Sequence, residues 1–312
     1  MPKNILVIGG TRYFGKLLVQ RLLRAGHRVT IATRGYAPDP FGQRYGDQFA
    51  RIRVDRRNEH AMRNAFRDAG YDIVFDQMCY SPLDAAISVR VFAGKVGRYV
   101  MTSTIDTYRE VRLGERACAA RPLREDDLKV AARRIDTAYP WHDPKLAVES
   151  YVSGKVQAEA YLVRDGSLPL VTVRLAHVLG GPEDFTGRLA HYVDLVRLNG
   201  VLHYANAAAR VSFMEAQEAA DFLAWAGAQA FTGAVNAAAD GALSAFDLHA
   251  RVAQVLDGTA HARKAARPGL SPFDLAAPLV LDTSRARALG YRFSHVDEWL
   301  DDAIRQHDLA HV

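Results

Sequence analysis

Gly9, Gly10 and Gly15, set directly behind an apolar run from Ile5 to Ile8, restrict this chain more than any other part of its sequence. Consecutive apolar residues suit a strand buried on both faces of a parallel sheet. The first two glycines allow a tight turn, and the third lets the following helix pack close to the strand it has just left. In that helix Phe14, Leu18 and Leu22 fall at i, i+4 and i+8, Leu17 and Leu23 widen the stripe, and Gly26 supplies a stop. A glycine turn feeding a helix N-terminus presents free backbone N–H groups and the positive end of the macrodipole, which suits a pyrophosphate. The spacing therefore predicts a dinucleotide-binding strand–turn–helix over Asn4 to Gly26, with contacts from Gly9, Thr11, Arg12, Tyr13, Phe14 and Gly15. Arg12 stands where a third glycine is common, and the bland alternative is the same unit with a surface arginine and no ligand.

The pattern continues as alternating strands and helices. Arg28 to Thr33, Arg51 to Asp55, Ile73 to Phe75 and Arg98 to Met101 read as strands, with helices over Glu59 to Ala69 and Pro82 to Ala93. Such alternation with short connections argues for an α/β fold, a Rossmann-type doubly wound parallel sheet. Arg109 to Glu149 breaks the rhythm: it is charged, carries Pro122, Pro140 and Pro144, and has no sustained period, so it reads as an insertion. Ser150 to Leu162 is helical and Leu170 to Leu175 is a further buried strand. Beyond it a smaller C-terminal α+β lobe is expected, in which Ser244 opens a helix with Asp247 as its cap partner. The division expected is a nucleotide-binding domain over 1–179 with the insertion 109–149, and a substrate-binding lobe over 180–312. Part of 211–240 is expected to return to the first domain.

Ligands of such sheets gather beyond the carboxyl ends of the strands, where Arg34, Asp55, Arg56, Gln77, Met78 and Thr104 fall. A carboxylate after the second strand would bind the 2′-hydroxyl of NAD, whereas an arginine accommodates the 2′-phosphate of NADP. Here Thr33-Arg34 stands at that point, with Arg12 able to reach the same phosphate, so NADP(H) is favoured and NAD(H) is the alternative.

Composition narrows the classes. The chain has 312 residues, 49% hydrophobic and 24% charged, enough for a sizeable core in a soluble protein. No apolar run is long enough to cross a membrane, and no signal-peptide core precedes the glycine turn. Cys79 and Cys118 are the only cysteines and the histidines lack ligand spacing, so no metal is expected; a reducing, cytoplasmic setting is the default. The formal charge of +5 could suit nucleic acid, but the arginines are scattered and no aromatic-and-basic platform is legible, so nucleic acid is disfavoured.

Tyr151 and Lys155 lie at i and i+4 of one helix, a spacing common by chance, for which an interfacial tyrosine beside a solvated lysine is the ordinary explanation. Behind a dinucleotide-type sheet the pair gains chemical meaning. A phenol with a pKa of about 10 is a poor base at neutral pH. An ammonium about 4 Å away can lower that pKa by a few units, which makes Tyr151 a proton carrier for an alcohol or carbonyl. Lys155 would also hold the nicotinamide ribose, and Thr104 would offer a hydroxyl to the substrate oxygen.

Taken together, the glycine turn, Thr102-Ser103-Thr104 with Tyr108 beyond, Tyr151-Val-Ser-Gly-Lys155, and Arg174-Leu175-Ala176-His177 before Gly180-Gly181-Pro182 resemble an extended short-chain dehydrogenase/reductase of the NAD(P)-dependent epimerase/dehydratase family. The closing segments Leu281 to Ala286 and Leu289-Gly290-Tyr291 follow the same order. The resemblance implies Tyr151 as acid/base, Lys155 as its partner and Thr104 as the hydroxyl residue, with Ser103 as runner-up. It implies substrate contacts from Ser103, His177 and Arg210, a small-molecule substrate such as a nucleotide sugar, and a homodimer through the Tyr151 helix. Gln77-Met78-Cys79 in place of small residues, and Leu175 in place of a common proline, depart from the family pattern and bear on the substrate. Two alternatives stand beside this: an NADPH-dependent carbonyl reductase of a non-nucleotide metabolite, or an atypical RNA-binding or NADP-sensing member, since the glycine turn with Thr33-Arg34-Gly35 also resembles plastid RNA-binding relatives.

Overall fold

A computed structural model describes residues 1–36, 38, 41–68, 70–109, 111, 121–181 and 183–309. Cys118, Pro182 and much of the 109–120 stretch of the expected insertion lie outside the described residues. The chain divides into two compact units: residues 1–107, 128–174 and 220–235 form the first, and 108–127, 175–219 and 236–312 the second.

The first unit opens with β1 (Asn4–Ile8), α1 (Tyr13–Arg24), β2 (Arg28–Thr33), β3 (Phe49–Arg53), α2 (Glu59–Ala65), β4 (Ile73–Asp76), α3 (Pro82–Phe92) and β5 (Tyr99–Thr104). It continues with α4 (Tyr151–Asp165) and β6 (Leu170–Leu175). Further along come β7 (His177–Leu179), α5 (Arg188–Arg197), β8 (Val201–Tyr204), β9 (Val211–Glu215), α6 (Ala216–Ala228) and β10 (Gly233–Ala237). The chain closes with β11 (Ala242–Leu243), α7 (Ala245–Val255), β12 (His261–Lys264), α8 (Ser284–Ala288) and α9 (Leu300–Leu309).

The central sheet has seven strands in the order β10-β6-β5-β4-β1-β2-β3. Strand β1 pairs in parallel with β2, Ile5 opposite Val29, and with β4, Ile5 opposite Ile73. The order reverses beside β1, the point at which open α/β sheets take their ligands. Ile5 to Ile8 are all buried, as an apolar run sandwiched between helix layers should be. Leu6 and Ile8 share a core with Val74, Met101, Phe92, Ala158 and Leu162.

Local signals set the helix ends. Asn58 caps α2 by accepting from the Ala61 N–H at 3.0 Å, and Ser81 caps α3 through Asp84 N–H at 3.1 Å, with Pro82 in its first turn. Helix α4 stops at Gly166, which takes the left-handed conformation (φ 69°).

In the second unit β7, β9 and β11 form a sheet in the order β11-β9-β7, and β8 pairs with β12. Its core joins Leu189, Tyr192, Phe213, Leu248, Val252 and Ile304. The capping box foreseen for α7 is present: Ser244 Oγ accepts from Asp247 N–H at 3.1 Å while Asp247 accepts from Ser244 N–H at 3.0 Å.

Candidate active site in the first unit

The glycine turn leaves β1 with Gly9 at φ 104° and Gly10 at φ 86°, backbone that side-chain-bearing residues rarely adopt. A Cβ on Gly15 would fall 2.2 Å from Gln77 Oε1, so the Gln77 amide lies against the first turn of α1. Gln77 Nε2 is buried and finds no hydrogen-bond partner among the described residues. The N-terminus of α1 has neither a side-chain cap nor an acidic residue in its first turn. An orphan amide donor beside an uncapped helix start fits the pyrophosphate of a dinucleotide, whose oxygens would satisfy both. Around it Arg12 is exposed, Thr11 is half-buried, Tyr13 is buried, and the Tyr13 and Phe14 rings lie 5.5 Å apart.

At the end of β2, Arg34 is exposed with its guanidinium 5.2 Å from the Tyr36 ring, and its carbonyl accepts from Arg53 Nε at 3.1 Å. Beyond β3, Asp55 is exposed and accepts from Arg57 N–H at 3.0 Å. Arg56 behaves differently from a residue left open for an adenine. Its guanidinium is buried and bound to Asp76, to Asp84 at 3.0 Å and to Ser88 at 2.9 Å. Burial alone would lower its pKa, but Asp76 and Asp84 outweigh that and lift it well above the ordinary value. Asp84 is held well below the carboxylate range: burial opposes ionisation, while Arg56 and hydrogen bonds from His142 and the Tyr80 backbone prevail.

This network fixes the strand end that carries Gln77, Met78 and Tyr80. Met78 N–H donates to Asp76 Oδ1 at 2.9 Å and Tyr80 N–H to Asp84 Oδ2 at 2.9 Å. Cys79 is fully buried, and burial pushes its thiol up, so it is no nucleophile.

Lys155 and Tyr151 lie on α4 beside this segment. The Lys155 ammonium is buried, donates to the Thr102 carbonyl at 2.8 Å, and sits 4.3 Å from the centroid of the Tyr80 ring. Tyr151 is half-buried, its ring 6.0 Å from that of Tyr80. Burial lowers the Lys155 pKa from its ordinary value. On β5 the three hydroxyl residues diverge. Thr104 Oγ1 accepts from Asp106 N–H at 3.2 Å, capping the turn that follows. Ser103 donates to Glu159, which is paired with Arg174 at 2.7 Å in a fully buried bridge. Thr102 Oγ1 is buried with no partner among the described residues.

Tyr80, Asp84 and Glu159 escaped the sequence reading. Glu159 carried a signal, since it continues the Tyr151, Lys155 stripe by another i+4 step. Asp84 looked like an ordinary first-turn acid, and nothing local marks Tyr80.

Two expected substrate residues lie in the second unit. His177 is buried, its Nδ1 3.1 Å from an Arg188 guanidinium nitrogen and its ring 5.0 Å from Phe273. A guanidinium can only donate, so Nδ1 accepts and the imidazole is neutral with its proton on Nε2. Arg188, missed in the sequence, sets that tautomer. Arg210 is 62% exposed, with Asp247 3.7 Å away. No group of three or more metal-ligating side chains occurs among the described residues, and no helix there is long and apolar enough to cross a membrane.

With this geometry in view, residues 5–86 match the model of the NAD dependent epimerase/dehydratase family. The UDP-glucose 4-epimerase of Thermotoga maritima shares the fold across 99% of this chain and 100% of its own, with a TM-score of 0.73 at 15% identity. The family match covers residues 5–86 alone, and the likeness to the epimerase is one of fold. Among curated proteins it is similar to a 2′-dehydrokanamycin reductase of Streptomyces kanamyceticus, 30% identical over 191 residues, 60% of this chain and 46% of that one. It is also similar to the chloroplast stem-loop binding protein of 41 kDa b of Arabidopsis thaliana, 30% identical over 83 residues, 24% of this chain and 22% of that one. The matched stretches thus span less than half of either curated relative.

Proposed function

We propose that the protein is an NADP(H)-linked oxidoreductase acting at a hydroxyl or carbonyl carbon, with Tyr151 as acid/base. The observation that carries this reading is the buried Lys155 ammonium, fixed on the Thr102 carbonyl in the helix turn after Tyr151. An ammonium one helical turn from a phenol favours its phenolate, which is what would let Tyr151 act at neutral pH. Gly9, Thr11, Gly15, Gln77 and the start of α1 would hold the dinucleotide, which supplies the hydride equivalent when bound. Tyr151 then passes a proton to or from the substrate oxygen, and Thr104 orients that oxygen by exchanging its hydrogen bond to Asp106.

NADP(H) is preferred to NAD(H) because Arg34 and Arg12 are exposed and no carboxylate stands at the end of β2. A nucleotide-sugar-like substrate fits the resemblance to sugar epimerases. A carbonyl reductase of a non-nucleotide metabolite is the second reading, favoured by the likeness to a reductase that the Streptomyces relative displays. An RNA-binding role draws on the Arabidopsis relative and the charge of +5; it leaves the Tyr151–Lys155 arrangement without a purpose. A reducing, cytoplasmic setting accords with a free Cys79.

We propose a homodimer through α4, as the family resemblance implies. Native mass spectrometry of the purified protein tests both points: two chains, each carrying one NADP(H), are expected. A strict monomer would overturn the second, and steep salt-dependent RNA binding without dinucleotide affinity would overturn the first.

A further inference from the structure

We propose that Tyr80 is a positioning residue for the Tyr151–Lys155 pair: the face of its ring seats the Lys155 ammonium and keeps it charged within the protein. The catalytic consequence rests on the oxidoreductase reading above, whereas the seat is a property of the folded chain.

The geometry fixes Tyr80 from three sides. Its backbone N–H is held by Asp84 Oδ2 at 2.9 Å. Its carbonyl oxygen packs so close to α4 that a Cβ on Gly154 would meet it at 2.2 Å, so only glycine serves there. Its ring lies 4.3 Å under Lys155 Nζ and 6.0 Å from the Tyr151 ring. The ammonium therefore has the Thr102 carbonyl on one side and an aromatic face on the other. An aromatic quadrupole attracts a cation most where water is excluded, and Lys155 is 2% exposed.

The surroundings supply the remaining charge balance. Asp76 and Asp84 face one guanidinium, Arg56, leaving a net negative charge beneath the ammonium when His142, which touches Asp84 at 3.1 Å, is neutral. Burial lowers the Lys155 pKa, and Cys79, Asp76 and Asp84 oppose that fall, while Arg56 adds to it. Burial also raises the Tyr80 phenol, and the Tyr151 phenol adds to the rise, so Tyr80 stays protonated and is no second base. Its hydroxyl reaches the Met78 sulfur at 3.9 Å, a weak contact. The ring face, and not the hydroxyl, is the working part.

The test follows the ¹³Cε resonance of Lys155 through pH in the intact, ligand-free protein, assigned by its loss in Lys155→Met. Tyr80→Phe keeps the face and should leave the Lys155 midpoint unchanged. Tyr80→Leu should lower it by about one pH unit, a tenfold change in protonation. Phenylalanines of increasing fluorination at position 80 preserve shape while draining the quadrupole, and should lower the midpoint step by step. That series stands alone should Tyr80→Leu not fold. A midpoint indifferent to fluorination, or one falling as far in Tyr80→Phe as in Tyr80→Leu, would overturn the proposal. None of these outcomes depends on turnover. Failure of the oxidoreductase reading would appear separately, as full activity in Tyr151→Phe.

Discussion

The Ser103 hydroxyl donates a hydrogen bond to Glu159, the carboxylate that also accepts from the Arg174 guanidinium at 2.7 Å. Ser103 and Thr104 are adjacent on β5 yet serve different ends, one in a buried ion pair and the other beside Asp106. Removing the Ser103 hydroxyl leaves Glu159 short of a donor, at a cost of roughly 2 kcal/mol for a charged acceptor. Ser103→Ala should therefore lower the melting temperature by several degrees while leaving NADP affinity unchanged, as calorimetry and titration would show. Thr104→Ala should do the reverse: little change in melting and a large loss of turnover.

Arg34 carries the cofactor preference in this account. A charge-assisted bond to a phosphate is worth about 1.5 to 3 kcal/mol, or roughly 10- to 100-fold in affinity. Arg34→Glu, which adds repulsion, should weaken NADP⁺ at least 100-fold in isothermal titration and leave NAD⁺ within about threefold. Equal losses for both dinucleotides would move the 2′-phosphate elsewhere.

Glu59 joins α2 to α3 and sets an acid limit. Its carboxylate takes both Arg63 and Arg90, at 2.9 and 2.7 Å, and hydrogen bonds from Arg90 and then Arg63 lower its pKa to about 2. A carboxylate depressed in the folded state contributes stability above its unfolded pKa near 4.3, and that contribution fades as pH falls toward 2. The pair is partly solvated, so the effect is modest. Between pH 5 and pH 2 (roughly the span between these values), the melting temperature of Glu59→Gln should fall less steeply than that of the wild type.

The sheet was legible because its signals are local. An apolar run, a glycine turn and alternating helices leave few topologies open, and Ser244 with Asp247 announced α7 correctly. The third strand proved harder: Arg51 and Arg53 alternate with apolar neighbours on the edge β3, which runs from Phe49 to Arg53 and not to Asp55. The candidate site was legible in part. Tyr151, Lys155 and Thr104 follow from spacing and strand end. The ion network of Arg56, Asp76, Asp84 and His142 joins residues up to 86 positions apart in the chain, and no periodicity encodes such a meeting. Tyr80 escaped for the same reason, since it lies in the loop before α3 and its partner Lys155 lies on α4.

The central claim is that the Tyr151 phenol moves the proton while the nicotinamide moves the hydride. Deuterium transfer tests it most directly: NADPH labelled at C4, in each epimer, is incubated with a panel of keto sugars, nucleotide-linked and free, and products are read by mass spectrometry. The wild type should place deuterium in one class of product, and Tyr151→Phe, with unchanged NADPH affinity, should do so at least 100-fold more slowly. Label transfer by Tyr151→Phe at the wild-type rate would contradict the account.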